Sequence, residues 1–161
     1  MRFFLVDRVD EVIVGEKIRG VKCVTLTDEV LHDHFPGFPV LPGILIVEAV
    51  AQLAGFLLET TYVRDTPRAG DPLRAVLSQI DRAKFYLPAA PGDRLVLEAR
   101  ITSLLAGAAQ VQGLVTLEGK KAATVGLTFV LRSIDAPAVH EQRRQLYRLW
   151  TRHLPEPPAI P

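Results

Sequence analysis

Between residues 94 and 105 apolar and charged side chains alternate, with Leu95, Leu97, Ala99 and Ile101 set against Arg94, Glu98 and Arg100. This two-residue period belongs to a strand with one buried face. AQVQGLVTLE (109–118) and AATVGLTFVL (122–131) carry the same rhythm, and Gly119-Lys120 between them marks a hairpin turn. Upstream, LRAVLSQIDRAKFYL (73–87) reads as a strand that leads into the turn PAAPGD (88–93), and GEKIRGVKCVTLT (15–27) reads as the first strand. One segment breaks the alternation. GILIVEAVAQLAGFLLE (43–59) is apolar almost all round, which predicts a helix enclosed on most sides, opened by Pro42-Gly43 and ending near Glu59. TTYVRDTPRAGDP (60–72) follows as a loop.

Several antiparallel strands and one enclosed helix predict an α+β fold, a sheet curled around that helix over residues 1–134. The remainder, 135–161, forms an extension. Residues 138–153 predict a further helix with Val139, Leu146, Leu149 and Trp150 on one side and Arg143, Arg144 and Arg148 elsewhere. It reads as a docking helix against this chain or a neighbouring one.

Composition narrows the function. A chain of 161 residues, 48% hydrophobic, suits one domain with a sizeable core. Nineteen basic residues balance eighteen acidic ones without a run of either sign, which argues against a nucleic-acid partner. The single cysteine, Cys23, excludes an intrachain disulfide and reads as a small buried hydrophobe. MRFFLVDRVDEV holds too short an apolar core for a secretory signal, so a cytoplasmic location is expected. The apolar run Gly43 to Leu58 falls short of the roughly 18 residues of a membrane span and carries Glu48 and Gln52 at its centre.

That carboxylate is the chemical question. HDHFPGFPVLPGILIVEAVAQ (32–52) joins His32 and His34, a loop stiffened by Pro36, Pro39 and Pro42, and a greasy helix containing Glu48. A buried carboxylate needs a hydrogen bond, a neutralising partner or a proton. Apolar surroundings favour the proton and make a general acid, with Gln52 one turn later placed to orient it. The plainer account pairs Glu48 with Gln52 or sets them at a subunit seam, with both histidines structural.

Taken together, HFPGFPVLPGILIVEAVAQ (34–52) resembles the signature of the 3-hydroxyacyl-(acyl-carrier-protein) dehydratases of the hotdog fold. Their pattern is filled at His34, Phe35, Pro36, Pro39, Pro42, Gly43, Glu48, Ala49 and Gln52. FFLVDRV (3–9) and DRAKFYLPAAPGDRLVLEARI (81–101) extend the likeness to about residue 132 and leave the tail unexplained. The resemblance implies that a 3-hydroxyacyl thioester loses water to give a trans-2-enoyl thioester, with His34 as base, Glu48 as acid, and neither metal nor cofactor.

Gly43, at a helix N-terminus, is the candidate oxyanion donor, and Gln52, Phe35 and Pro42 are further candidate substrate-binding positions. The resemblance also implies a homo-oligomer, at least a dimer, with sites composed from two subunits. An extended, proline-stiffened link between His34 and the helix points the same way. An acidic acyl carrier protein is the expected partner, with Arg64, Arg68, Arg82, Lys84 and Arg94 as candidate contacts.

Two positions depart from the pattern: Asp33 replaces a usual glycine, and Phe38 is bulkier than the residue expected there, which would narrow the acyl tunnel that the resemblance implies. Glutamate rather than aspartate at position 48 disfavours a coupled isomerisation. A hotdog acyl-thioesterase and a non-catalytic acyl-binding or assembly subunit are the alternative readings.

Overall fold

The computed structural model describes residues 3–65 and 73–161. Six antiparallel strands form one sheet: β1 (Arg8–Ile13), β2 (Lys17–Cys23), β3 (Leu73–Phe85), β4 (Arg94–Leu105), β5 (Ala108–Leu117) and β6 (Lys120–Ser133), in spatial order β1-β2-β4-β5-β6-β3. Helix α1 (Gly43–Asp65) packs on this sheet, and α2 (Pro137–Thr151) follows the last strand. This is the hotdog arrangement.

The first strand differs from the expectation. Residues 8–13 already pair with β2, and the β1–β2 turn passes through Gly15 at φ +87°. A bulge between Val9 and Glu11 interrupts β1, a strand of only six residues, so too short a run of two-residue alternation is left to mark it. The β5–β6 hairpin turns one residue earlier than expected. Leu117 pairs with Lys120, and Glu118 and Gly119 take positive φ of 49° and 77°, the pattern of a two-residue type I′ loop.

Helix α1 runs six residues past Glu59. Thr60 and Thr61 continue it because their hydroxyls donate back to carbonyls of the preceding turn, Phe56 and Leu57 for Thr60 and Leu57 for Thr61. Thr61 Oγ1 also accepts from Gly15 N–H and ties the helix to the β1–β2 turn. At this length α1 is apolar and long enough to cross a membrane by composition alone, yet most of it is buried within the fold. Leu53, Leu57 and Leu58 are almost wholly enclosed, and each contributes about 1.5–3 kcal/mol by burial. The helix sits close to β5 because Gly113 carries no side chain: a Cβ there would lie 2.5 Å from Val50 Cγ1.

In α2 the buried face is His140, Tyr147, Trp150 and Thr151; of the expected apolar stripe, Trp150 is buried and Leu146 packs partly buried against the core. Leu149 and Val139 are exposed, because the packing of α2 is organised around a buried polar cluster described below. Cys23 is half-buried and free.

Candidate active site

Loop 32–42 is the first part of the site. It doubles back on itself: Phe35 and Phe38 exchange backbone hydrogen bonds, Val40 N–H donates to His34 O, and Leu41 N–H donates to Ala89 O. The extended-chain argument for a distant Glu48 therefore does not apply, since the loop is compact. The His34–Phe35 peptide is cis, and the two rings stack with centroids 4.2 Å apart.

His34 Nδ1 lies 2.9 Å from the carbonyl oxygen of Val40. A carbonyl only accepts, so Nδ1 carries a proton, and in the neutral ring Nε2 is the nitrogen with the free lone pair. In that tautomer Nε2 is able to accept a proton. His32, Asp33, Phe35 and Phe38 are exposed around it.

Glu48 lies on the second turn of α1, half-buried rather than enclosed. Its Oε1 accepts from Gln52 Nε2 at 3.0 Å, and the same amide donates to Phe3 O while its oxygen accepts from Leu5 N–H. Gln52 thus joins Glu48 to the N-terminal segment.

Both residues line a pocket of about 400 Å³, together with Ala51, Gly55, Phe129, Leu146 and Trp150 among others. His34 is not among the residues that line it. Gly43 opens α1, where first-turn N–H groups have no intrahelical partner. The ring of Phe85 occupies the space beside its Cα, 2.9 Å from where a Cβ would stand. Pro42 is half-buried, and its carbonyl accepts from Leu45 N–H.

A second acid was not anticipated. Glu59, fully buried on α1, accepts four hydrogen bonds: from Arg74 Nη1 (2.7 Å), Arg143 Nη1 (2.9 Å), Tyr147 OH (2.8 Å) and Ala75 N–H (3.1 Å). Arg74 Nε donates to His140 Nδ1 at 2.9 Å, so that nitrogen is bare, and Nε2–H donates to Ile134 O at 2.7 Å. The His140 ring is neutral.

Burial and the Glu59 charge hold the Tyr147 hydroxyl far above the ordinary phenol range, so it remains a donor. Burial opposes the charge on Arg143, but Tyr147, Glu59 and Glu48 outweigh it and raise its pKa. Arg143 and Tyr147 also line the pocket that contains Glu48.

The basic residues proposed as a rim do not gather in one place. Arg82 and Lys84 are exposed on β3. Arg94 sits on β4, with β5 and β6 between it and β3, and lies 3.5 Å from Asp10. Arg64 is bound to Asp65 and Val14 O. Arg68 falls outside the described residues. Among the described residues, no group of three His, Cys, Asp or Glu side chains is placed to hold a metal ion.

A FabA-like domain matches residues 1–126. The chain is 39% identical over 129 residues to the 3-hydroxyacyl-(acyl-carrier-protein) dehydratase FabZ of Enterococcus faecalis, covering 80% of this chain and 87% of that one. It is 39% identical over 121 residues to the FabZ of Myxococcus xanthus, covering 75% and 76%.

Among solved structures, the dehydratase heterocomplex ApeI:P from Xenorhabdus doucetiae superposes with a TM-score of 0.65 at 16% identity, over 87% of this chain and 89% of that one. The protein smu.793 from Streptococcus mutans, bound to acetyl CoA, gives 0.62 at 19% identity, over 83% and 94%. These two are alike in fold. The chain belongs to the 3-hydroxyacyl-(acyl-carrier-protein) dehydratase family, whose FabA-like domain it carries.

Proposed function

We propose that this protein is a hydro-lyase that converts 3-hydroxyacyl thioesters, carried on an acyl carrier protein, to trans-2-enoyl thioesters. The observation that carries the reading is a bare His34 Nε2 together with Glu48 facing a largely apolar pocket. His34 Nε2 takes the proton from the carbon beside the thioester. The electron pair moves toward the thioester oxygen, where the Gly43 N–H at the start of α1 meets the growing charge. As the carbon–carbon double bond forms, the 3-hydroxyl departs with a proton from Glu48 as water. Gln52 holds the Glu48 carboxyl in place for this transfer. Fatty-acid synthesis, or a related lipid or polyketide route, supplies such substrates.

The acting unit is a homo-oligomer in which His34 of one protomer meets Glu48 of its partner. Strand β3 supports this arrangement. It is a sheet edge 13 residues long with Val76, Ile80 and Phe85 exposed, a surface that favours pairing with a second copy. Val76 and Leu77 of that strand also line the Glu48 pocket, so a neighbour docked there reaches the site. The exposed Arg82 and Lys84 on β3 suit an acidic carrier protein.

Incubation with a 3-hydroxyacyl thioester tests the reading. Enoyl absorbance is expected to rise without release of free thiol. Thiol release without enoyl product would instead indicate a hydrolase.

A further inference from the structure

Helix α2 lies beyond residue 126, where the FabA-like match ends, yet it supplies Val139, Arg143, Leu146, Tyr147 and Trp150 to the walls of the Glu48 pocket. Across from it the wall is one face of α1: Glu48, Ala51, Gln52 and Gly55, at helical positions i, i+3, i+4 and i+7. Ala51 and Gly55 carry almost no side chain, so this face is a groove leading away from the candidate acid. At about 1.5 Å of rise per residue, Gly55 lies roughly 10 Å from Glu48 along the axis.

One turn further stands Glu59, to which Arg143 and Tyr147 latch α2. Rings pack at this end: Phe56 stacks on Tyr147 at 4.3 Å, and Trp150 lies 5.6 Å from Tyr147. Tyr147 and Trp150 are each 2% exposed, so they have little room to yield.

We propose that α2 is the element that sets acyl-chain length, closing the far end of the groove and restricting the protein to short and medium 3-hydroxyacyl chains. The identity of the ligand rests on the dehydratase reading above; the position of the wall does not. The wall is rigid for a physical reason. Tyr147 is held by a charge-assisted hydrogen bond to the buried Glu59 carboxylate and Trp150 packs against its ring, so displacing Tyr147 would strip a partner from Glu59. A chain too long for the groove must therefore compress a packed wall or leave methylenes in water, and a single misfitting methylene already discriminates by about 10-fold or more.

Trp150 is the sole tryptophan of the chain, so its emission reports on the groove without any turnover. Non-hydrolysable acyl-pantetheine thioethers of short, medium and long chain are titrated against the intact protein. Short and medium analogues are expected to shift the emission saturably, with the long analogue binding at least about 10-fold more weakly.

Leu146→Ala, at a half-buried position, is expected to recover long-chain binding by a similar factor, and Leu146→Phe to move the limit toward shorter chains. Val139→Ala, at an exposed position on the same wall, serves if Leu146→Ala does not fold. Emission unmoved by every analogue, or affinity independent of chain length, overturns the proposal. Dehydration of long chains as fast as medium ones overturns it while leaving the dehydratase reading intact. A length limit in binding with no enoyl product from any substrate supports the wall and overturns the dehydratase reading.

Discussion

His34→Ala and Glu48→Gln are each expected to lower the rate of enoyl thioester formation by about 10²- to 10⁴-fold, the usual worth of one positioned proton transfer. Neither change should dissociate the oligomer or shift its melting temperature appreciably. His34 is half-buried in a loop whose closure rests on backbone hydrogen bonds, and its ring adds the Nδ1 contact to Val40 O and stacking on the exposed Phe35. Glu48→Gln keeps an oxygen able to accept from Gln52 Nε2 and removes only the transferable proton. Initial rates by enoyl absorbance, with circular dichroism and sedimentation on the same samples, separate chemistry from folding. A variant that retains full rate would remove that residue from the mechanism.

Arg74→Ala is expected to be the most damaging substitution for stability, at about 3–5 kcal/mol, because it leaves a buried charge network short of one partner. Arg74 and Glu59 are both fully enclosed. Without the guanidinium, Glu59 loses its shortest hydrogen bond and His140 Nδ1 loses its donor. The melting temperature should fall by on the order of 10 °C for a chain of this size. Replacing Arg74 and Glu59 together by methionine should restore part of the loss, since a buried ion pair is often no better than apolar packing of similar volume. A loss below about 1 kcal/mol in Arg74→Ala, measured by denaturant titration, would show that the cluster opens to water.

The same cluster shows where sequence reasoning stops. Strands β4 to β6 were legible because their faces differ in polarity at a period of two, and the enclosed helix because apolar residues surround it. The signature from His34 to Gln52 was legible because proline, glycine and the two titratable side chains stand at fixed spacing.

Glu59 was not, having looked like the last residue of a helix. Its partners Arg74 and Arg143 lie 15 and 84 residues away in the chain, and only tertiary packing brings them to it. For the same reason the buried face of α2 was foreseen only at Leu146 and Trp150: the helix turns toward Glu59, seats Tyr147 and His140 inward against their polarity, and leaves Val139 and Leu149 exposed. The half-burial of Glu48 was missed because an apolar sequence around a residue does not say which face meets the sheet. Ala51, Gln52 and Gly55 share its face, and that face borders a pocket.

Subunit mixing tests the central claim, that one protomer's His34 works with its partner's Glu48. His34→Ala and Glu48→Gln proteins are purified separately, mixed in equal amounts, dissociated in mild denaturant and reassembled. Half of the resulting dimers are mixed and each holds one site with both groups intact, so activity should return to roughly a quarter of the unaltered level. A reassembled mixture as inactive as its two parents, with mixed oligomers shown to have formed, would place both groups in a single chain and contradict the account.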